Sequence, residues 1–130
     1  MKKLRWATGL LLVTAACGGS EPATFTEVQD QVLTPACAFS SCHSTANANN
    51  AGMLDLTAGV AFAELVGVNA VEAPDRVLVV AGDVAGSYLV DKIENTNLPA
   101  GAREMPPGQP LSAERIELVR SWIEAGAAND

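Results

Sequence analysis

The sequence predicts an all-α domain of about four helices with long loops between them. Apolar residues recur at helical spacing in four segments, and several of these segments begin at a capping residue or end at a glycine. Only residues 76–80 form a short extended apolar stretch that suits a strand or a buried connector. With 130 residues, the chain is long enough for one domain rather than two.

The first two predicted helices begin at threonine residues. Thr24 and Glu27 have the spacing of a capping box, which starts the first helix. This helix is predicted to end near Leu33, because the proline two residues later disfavours helical backbone at the residue before it. The second helix is predicted over about residues 58–66, with Thr57 as its cap.

The third and fourth helices are predicted in the C-terminal half. Apolar residues at helical spacing give a third helix over about residues 84–94. Ser112 caps the fourth helix, and Gly126 ends it. Residues 95–110 form a long loop that contains four of the seven prolines, and such a loop in a small domain is usually functional or disordered.

The N-terminal residues 1–16 have the pattern of an export signal. Three basic residues precede an apolar run, and small residues then lead to Cys17. This stretch resembles the lipobox of bacterial lipoproteins, in which the cysteine becomes the lipidated N-terminal residue, although Thr14 stands where leucine is commonest. We expect a lipoprotein-type signal peptide over 1–16, lipidation of Cys17, a tether over 17–23 and a domain over 24–127. Ordinary signal cleavage with a free Cys17 is the alternative.

The charge pattern excludes two classes of partner. Without residues 1–16 the chain keeps five basic residues against 15 acidic residues, a net charge of −10. Nucleic acids and anionic lipid headgroups repel such a surface. The one long apolar stretch is too short to span a bilayer. We expect an exported protein of the cell envelope, facing the periplasm or on the outer membrane, that touches the membrane only through a lipid anchor at Cys17.

One short segment carries most of the chemistry. Cys37, Cys42 and His43 form the pattern C-x4-C-H, a longer relative of the C-x-x-C-H haem-attachment motif. In that motif two thiols bond to the vinyl groups of haem, and the following histidine falls under the iron as its proximal ligand. The four residues between the cysteines then have to bulge outward, and three of them are small enough to do so.

Other chemistries fit these three residues less well. A zinc site needs about four ligands and a blue-copper site needs two histidines, whereas His43 is the only histidine of the chain. Neighbouring cysteine and histidine side chains seldom point at each other, which disfavours a cysteine nucleophile with a histidine base. A disulfide between Cys37 and Cys42, with His43 an incidental surface residue, remains the open alternative in an exported protein.

Two further features favour haem. The chain without its leader has few aromatic residues, so a buried porphyrin would add apolar material to a modest core. Met105 lies in the proline-rich loop, where a stiffened backbone suits the presentation of a thioether to a metal. Met53 is the second candidate for this sixth ligand, although its apolar neighbours favour a position in the core.

Several stretches taken together resemble the small exported cytochrome-c-like lipoproteins of bacteria. The resemblance covers about residues 24–127 and rests on residues 35–43, 52–56, 81–83, 87–89, 103–107, 111–114 and 122–123. The C-x4-C-H spacing departs from the usual C-x2-C-H. The resemblance implies a class-I-like cytochrome c fold with one haem, in which a C-terminal helix packs across the N-terminal one.

The same resemblance implies the roles of the site residues. Cys37 and Cys42 are expected to hold haem c covalently, with His43 as proximal ligand and Met105 as distal ligand. The expected function is that of a monohaem electron carrier rather than an enzyme. Its acidic surface is expected to meet a redox partner with a basic docking patch. The alternatives are a five-coordinate haem enzyme or sensor, and a haem-free, disulfide-stapled surface lipoprotein that acts as an interaction module.

Four further residues are candidates for contacts with the haem. Arg103, Lys92 and Arg76 are basic residues that suit a propionate. Trp122 in the last helix suits a position near the haem edge, although its sequence context favours a core position, which is compatible with it.

Overall fold

The structure, a computed structural model, describes residues 21–130 as a helical domain. Helix α1 consists of three consecutive stretches, of which the middle one is π-helical: Phe25–Val28, Gln29–Leu33 and Thr34–Ala36. The other helices are α2 (Ala61–Leu65), α3 (Tyr88–Glu94) and α4 (Ala113–Glu124), and a single 3-10 turn covers Ala48–Asn50. Within residues 21–130, β-structure is limited to three isolated bridges. The described part of the chain holds no helix with the length and apolar character needed to cross a membrane.

Helix α1 begins where the sequence predicts and ends later. Thr24 and Glu27 form the capping box, in which the Glu27 carboxylate accepts from the Thr24 backbone N–H at 2.9 Å. The prediction that the helix ends near Leu33 is wrong, because helical backbone continues to Ala36. A proline ring normally clashes with the carbonyl four residues back. The π-helical turn before Pro35 pairs each N–H with a carbonyl five residues back, and this wider turn gives the ring room.

Helices α2 and α3 begin later than predicted, because the polar residues before them bind elsewhere. The hydroxyl of Thr57 donates to Asp55 Oδ1 at 2.7 Å and does not cap α2, which starts four residues later. The hydroxyl of Ser87 donates to the carbonyl of Asp83 at 2.7 Å and accepts from the N–H of Val80 at 2.9 Å. These two bonds hold a turn in front of α3, where the sequence predicts its first helical residues.

The core forms where α1, α2 and α4 meet. Ser112 caps α4 as predicted, with its hydroxyl accepting from the backbone N–H of the third helical residue. The ring centroids of Phe25 and Trp122 lie 5.2 Å apart, and Phe62 packs edge-on against Phe25 at the same distance. Trp122 is 1% exposed, so α4 is fixed to α1 through this aromatic cluster. Edge-on and tilted ring pairs of this kind add to the stability that apolar burial gives.

Hydrogen bonds from backbone N–H groups to side chains, near the two ends of the described chain, reinforce this packing. The N–H of Phe25 donates to the Asp130 carboxylate at 2.8 Å. The N–H of Ala23 donates to the hydroxyl of Ser121, in α4, at 3.2 Å. The start of α1 is therefore tied both to α4 and to the residues that follow it.

Residues 76–80 form a connector rather than a strand, one of the two possibilities that the sequence allowed, and they are half-buried except for the buried Val79. Val79 is fully buried and makes an isolated parallel bridge with Val66. The carbonyl of Val77 accepts from the N–H of Tyr88, the first residue of α3, at 2.9 Å. The connector thereby fixes the start of α3, which forms part of the wall of the cavity described next.

Candidate functional site

A cavity of about 440 Å³ brings four of the predicted site residues together. Cys37, Cys42 and His43 line it from the segment after α1, and Met105 lines it from the loop before α4. Its volume is within the range of about 300–1,000 Å³ that cofactor and ligand pockets occupy. Much of the remaining wall is apolar: Ala36, Leu54, Leu56, Val68, Leu78, Leu89 and Ile93.

The four residues between the two cysteines form a turn that faces solvent. The N–H of Cys42 donates to the carbonyl of Phe39 at 2.9 Å, which closes the turn. Phe39 is 52% exposed, and Ser40 and Ser41 are exposed as well. The N–H of His43 donates back to the carbonyl of Cys37 at 3.0 Å. The insertion therefore bulges outward, while its two ends stay at the cavity.

Both cysteines of the motif are free thiols and half-buried. Burial, and after it the neighbouring Cys42, raise the pKa of Cys37 to about 11. The Cys37 thiol is therefore protonated at neutral pH. Both thiols line the wall of the same cavity.

The ring of His43 is held by residues 54–56, which return to the cavity after the polar loop of residues 44–52. Its Nδ1 lies 3.2 Å from the carbonyl oxygen of Leu54, and the N–H of Leu56 donates to the His43 carbonyl at 2.9 Å. The tautomer with the proton on Nδ1 satisfies the contact to Leu54, which leaves the lone pair on Nε2. An imidazole oriented through a backbone carbonyl in this way is the usual arrangement of a metal-ligating histidine.

Two polar residues stabilise the segment around the C-x4-C-H motif through hydrogen bonds, and neither was predicted from the sequence. The side-chain amide of Asn47 donates to the carbonyls of Ser41 and Cys42 at 3.0 and 2.9 Å. The carboxylate of Asp55 accepts from the Thr45 hydroxyl at 2.6 Å. This bond connects the start of the polar loop to the segment that follows it. Asparagine in a polar loop gives no signal in the sequence of which carbonyl it binds, so its hydrogen bonds were not predictable.

Met105 and Met53 both line the cavity, but they are held differently. Met105 is half-buried, and its backbone N–H donates to the carbonyl of Lys92 in α3 at 2.8 Å. Met53 is 59% exposed and has a φ of 60°, in the left-handed region. Met105 also borders a second cavity, of about 420 Å³, which none of the three motif residues lines. Met105 is therefore held more firmly at the first cavity than Met53.

The basic candidates for propionate contacts occupy different places. Lys92 lines the cavity, and its side chain pairs with Glu72 at 2.5 Å. Arg76 pairs with Asp91 instead, with its guanidinium 4.5 Å from the centroid of the Tyr88 ring, and Arg103 is exposed. Of the three, Lys92 is the one that the structure places in the cavity wall.

Trp122 takes the core position rather than a place at the cavity. Its ring packs against Phe25, and its Nε1–H donates to the carbonyl of Ala128 at 2.8 Å. The predicted signal peptide and lipidation at Cys17 lie outside the described residues.

Comparisons of this chain with protein-family models, with curated proteins and with solved structures gave no significant match.

Proposed function

We propose that this chain is a monohaem c-type cytochrome that carries single electrons in the cell envelope. One observation carries the proposal: Cys37, Cys42, His43 and Met105, from two separate segments, line the same cavity. Two thiols, an imidazole and a thioether are the groups that covalent attachment and His/Met ligation of haem require. The same cavity is mainly apolar, as suits the faces of a porphyrin.

The residues of the chain fit haem in several separate respects. Cys37 and Cys42 would hold it covalently, and the outward turn between them accommodates the longer spacing. His43 would be the proximal ligand, because its contact to Leu54 through Nδ1 leaves Nε2 available. Haem, when bound, supplies one-electron redox chemistry at its iron.

Ligation by Met105 favours an electron carrier over an open haem enzyme or sensor. A thioether in the sixth position leaves no site for a substrate on the iron, and it raises the reduction potential. The bond from the Met105 N–H to the Lys92 carbonyl supports this role, since it ties the thioether-bearing loop to α3. The exposure of Met53 favours Met105 as the ligand.

The helical packing supports a class-I-like cytochrome c fold. Helices α1 and α4, near the two ends of the described chain, pack on each other through Phe25 and Trp122. The attachment motif directly follows α1, and the loop with Met105 directly precedes α4. This order supports the proposal, because His43 and Met105 lie on segments that join the same pair of packed helices.

The cellular setting is part of the proposal. The pattern of residues 1–16 and the lipobox-like sequence before Cys17 support an exported, lipid-anchored protein. The excess of acidic residues supports a redox partner with a basic docking patch.

The proposal is tested by a pyridine haemochrome spectrum of the protein purified from its native host and denatured. We expect haem that stays with the wild-type chain through denaturation and acid–solvent extraction. The double variant Cys37→Ser/Cys42→Ser should release all of its haem under the same extraction. A wild-type chain without haem would overturn the proposal.

A further inference from the structure

The wall of the cavity contains a polar cluster formed by Tyr88, Lys92 and Glu72. Tyr88 and Lys92 are four residues apart in α3, so their side chains leave the same face of the helix. Both donate to one atom, Oε1 of Glu72: the Tyr88 hydroxyl from 2.7 Å and Lys92 Nζ from 2.5 Å. Two donors on a helix therefore converge on one carboxylate oxygen.

The two donors are buried, whereas the acceptor is half-exposed. Tyr88 is 1% exposed and the Lys92 side chain is 10% exposed, whereas the Glu72 side chain is 44% exposed. Glu72 belongs to the irregular segment between α2 and α3, next to Val71, which is exposed. A buried ammonium without a carboxylate partner is costly, but a half-exposed carboxylate can move into water at little cost.

Lys92 makes this point of the wall suitable for an anionic group. Lys92 is the only lysine or arginine among the described residues that line the cavity, which also include Glu64. Its ammonium group has three hydrogen-bond donors, and within residues 21–130 it uses one of them, on Glu72. Burial, followed by the contact with Glu72, raises the pKa of Tyr88 to about 12, so its hydroxyl remains a donor at neutral pH.

We infer that Lys92 and Tyr88 form the subsite for a carboxylate of the cofactor, and that Glu72 occupies this subsite only until the cofactor enters. The inference rests on the proposed function, because haem carries two propionate carboxylates. The propionate replaces Glu72 Oε1 as the acceptor of both hydrogen bonds. Glu72 turns into solvent, since two carboxylates beside one ammonium repel each other.

This subsite positions the cofactor relative to its axial ligand. The carbonyl of Lys92 accepts from the N–H of Met105 at 2.8 Å, while the side chain of Lys92 faces the cavity. One residue of α3 thus connects the propionate to the loop that presents the thioether. Lys92 acts as a positioning residue that touches the cofactor but not the iron.

The test uses resonance Raman spectra of the haem-loaded protein, after a haemochrome spectrum has shown that haem is present. The band that reports propionate bending responds to hydrogen bonds at the carboxylate. We expect this band to shift in Lys92→Gln and in Tyr88→Phe, and to stay in place in Glu72→Gln. Arg120→Gln is the matched control, because it removes a positive charge that pairs with Glu94 and does not line this cavity.

An unchanged propionate band in haem-loaded Lys92→Gln would overturn the inference and leave the proposed function intact. A wild-type chain without haem would overturn both. If a variant does not fold, a crystal structure of the haem-loaded wild-type protein decides the question. We expect a propionate oxygen within about 3.2 Å of Lys92 Nζ and of the Tyr88 hydroxyl. Both donors still bound to Glu72, with no propionate contact, would contradict the inference.

Discussion

At the residue scale, the two methionines of the cavity provide a matched pair. Met105 is half-buried and anchored by a backbone bond to α3, whereas Met53 is mostly exposed in a left-handed turn. Replacing Met105 with alanine removes the proposed distal ligand. We expect the visible spectrum of Met105→Ala to change from low-spin to high-spin or water-ligated iron.

The Met53→Ala variant is the control for this change, and its spectrum should stay low-spin. If Met105→Ala keeps the low-spin spectrum and Met53→Ala loses it, the distal ligand is Met53. If neither variant changes, the sixth ligand is neither of these thioethers.

Asp55 gives a prediction about acid stability. Hydrogen bonds from Thr45, and then from Thr57, lower the pKa of Asp55 below its ordinary value of 3.8. Because the folded state favours the ionised form, this carboxylate stabilises the fold above pH 3.8, and its contribution disappears as the pH falls through the lowered value. We expect Asp55→Asn to be less stable than wild type at pH 7.

Urea unfolding of both proteins across the acid range measures this effect. The difference in unfolding free energy should shrink as the pH falls below about 4, the ordinary range of an aspartate. A difference that is the same at neutral and acid pH would contradict the assigned cause. Glu124→Gln, an exposed position at the end of α4, is the matched control.

Single residues also show how far the sequence predicts the site. The grouping of Cys37, Cys42, His43 and Met105 at one cavity was predictable, because these residue types in this order suit one chemistry. The contact of His43 with the Leu54 carbonyl was not, since any residue supplies a backbone carbonyl. The hydrogen bond from the Tyr88 hydroxyl to Glu72 was not predicted either, because a tyrosine at helical spacing indicates only an apolar core residue.

At the element scale, the packing of α4 against α1 depends on Trp122. This side chain is fully buried between Phe25 and Phe62. Replacing it with alanine removes apolar burial and leaves a cavity, so we expect Trp122→Ala to lower the free energy of unfolding by about 3–5 kcal/mol.

Denaturant unfolding followed by circular dichroism measures this loss. Glu124→Ala on the exposed end of the same helix should change the stability by no more than about 0.5 kcal/mol. A loss below about 1 kcal/mol in Trp122→Ala would mean that the aromatic cluster is not what fixes α4 to α1.

The helices themselves were easier to predict than their ends. Capping by Thr24 and Ser112 was predictable, because each hydroxyl group accepts a hydrogen bond from a backbone N–H in the first turn of the helix that follows it. Thr57 and Ser87 were less predictable, since each hydroxyl group donates to a residue a few positions earlier in the chain, Asp55 or Asp83, and this local bond competes with a helix start. The continuation of α1 through Pro35 depends on a π-helical turn, which has no sequence signal.

At the scale of the whole molecule, the chain after residue 16 has 15 acidic residues against five basic ones, and this net charge should affect how charged redox reagents approach the proposed haem. Raising the ionic strength from about 0.01 M to about 0.15 M shortens the screening length from about 30 Å to about 8 Å. We expect reduction by hexaammineruthenium(II), a cation, to slow several-fold over this range.

Hexacyanoferrate, an anion, gives the opposite case in the same stopped-flow experiment. Its reaction with the protein should accelerate as salt screens the repulsion. Equal salt dependence for the two reagents would show that the net charge does not act at the site of electron transfer, and the idea of a basic docking patch on the partner would fail.

The most direct test of the central claim is the intact mass of the denatured protein from its native host. We expect the wild-type mass to exceed that of the Cys37→Ser/Cys42→Ser variant by one haem group, after correction for the substituted atoms. Neither cysteine of the wild-type protein should then have a free thiol. A wild-type mass lower than that of the reduced chain by two hydrogen atoms, with no haem, would mean a disulfide between Cys37 and Cys42. The chain would then be a haem-free surface protein, and the assignment as an electron carrier would be wrong.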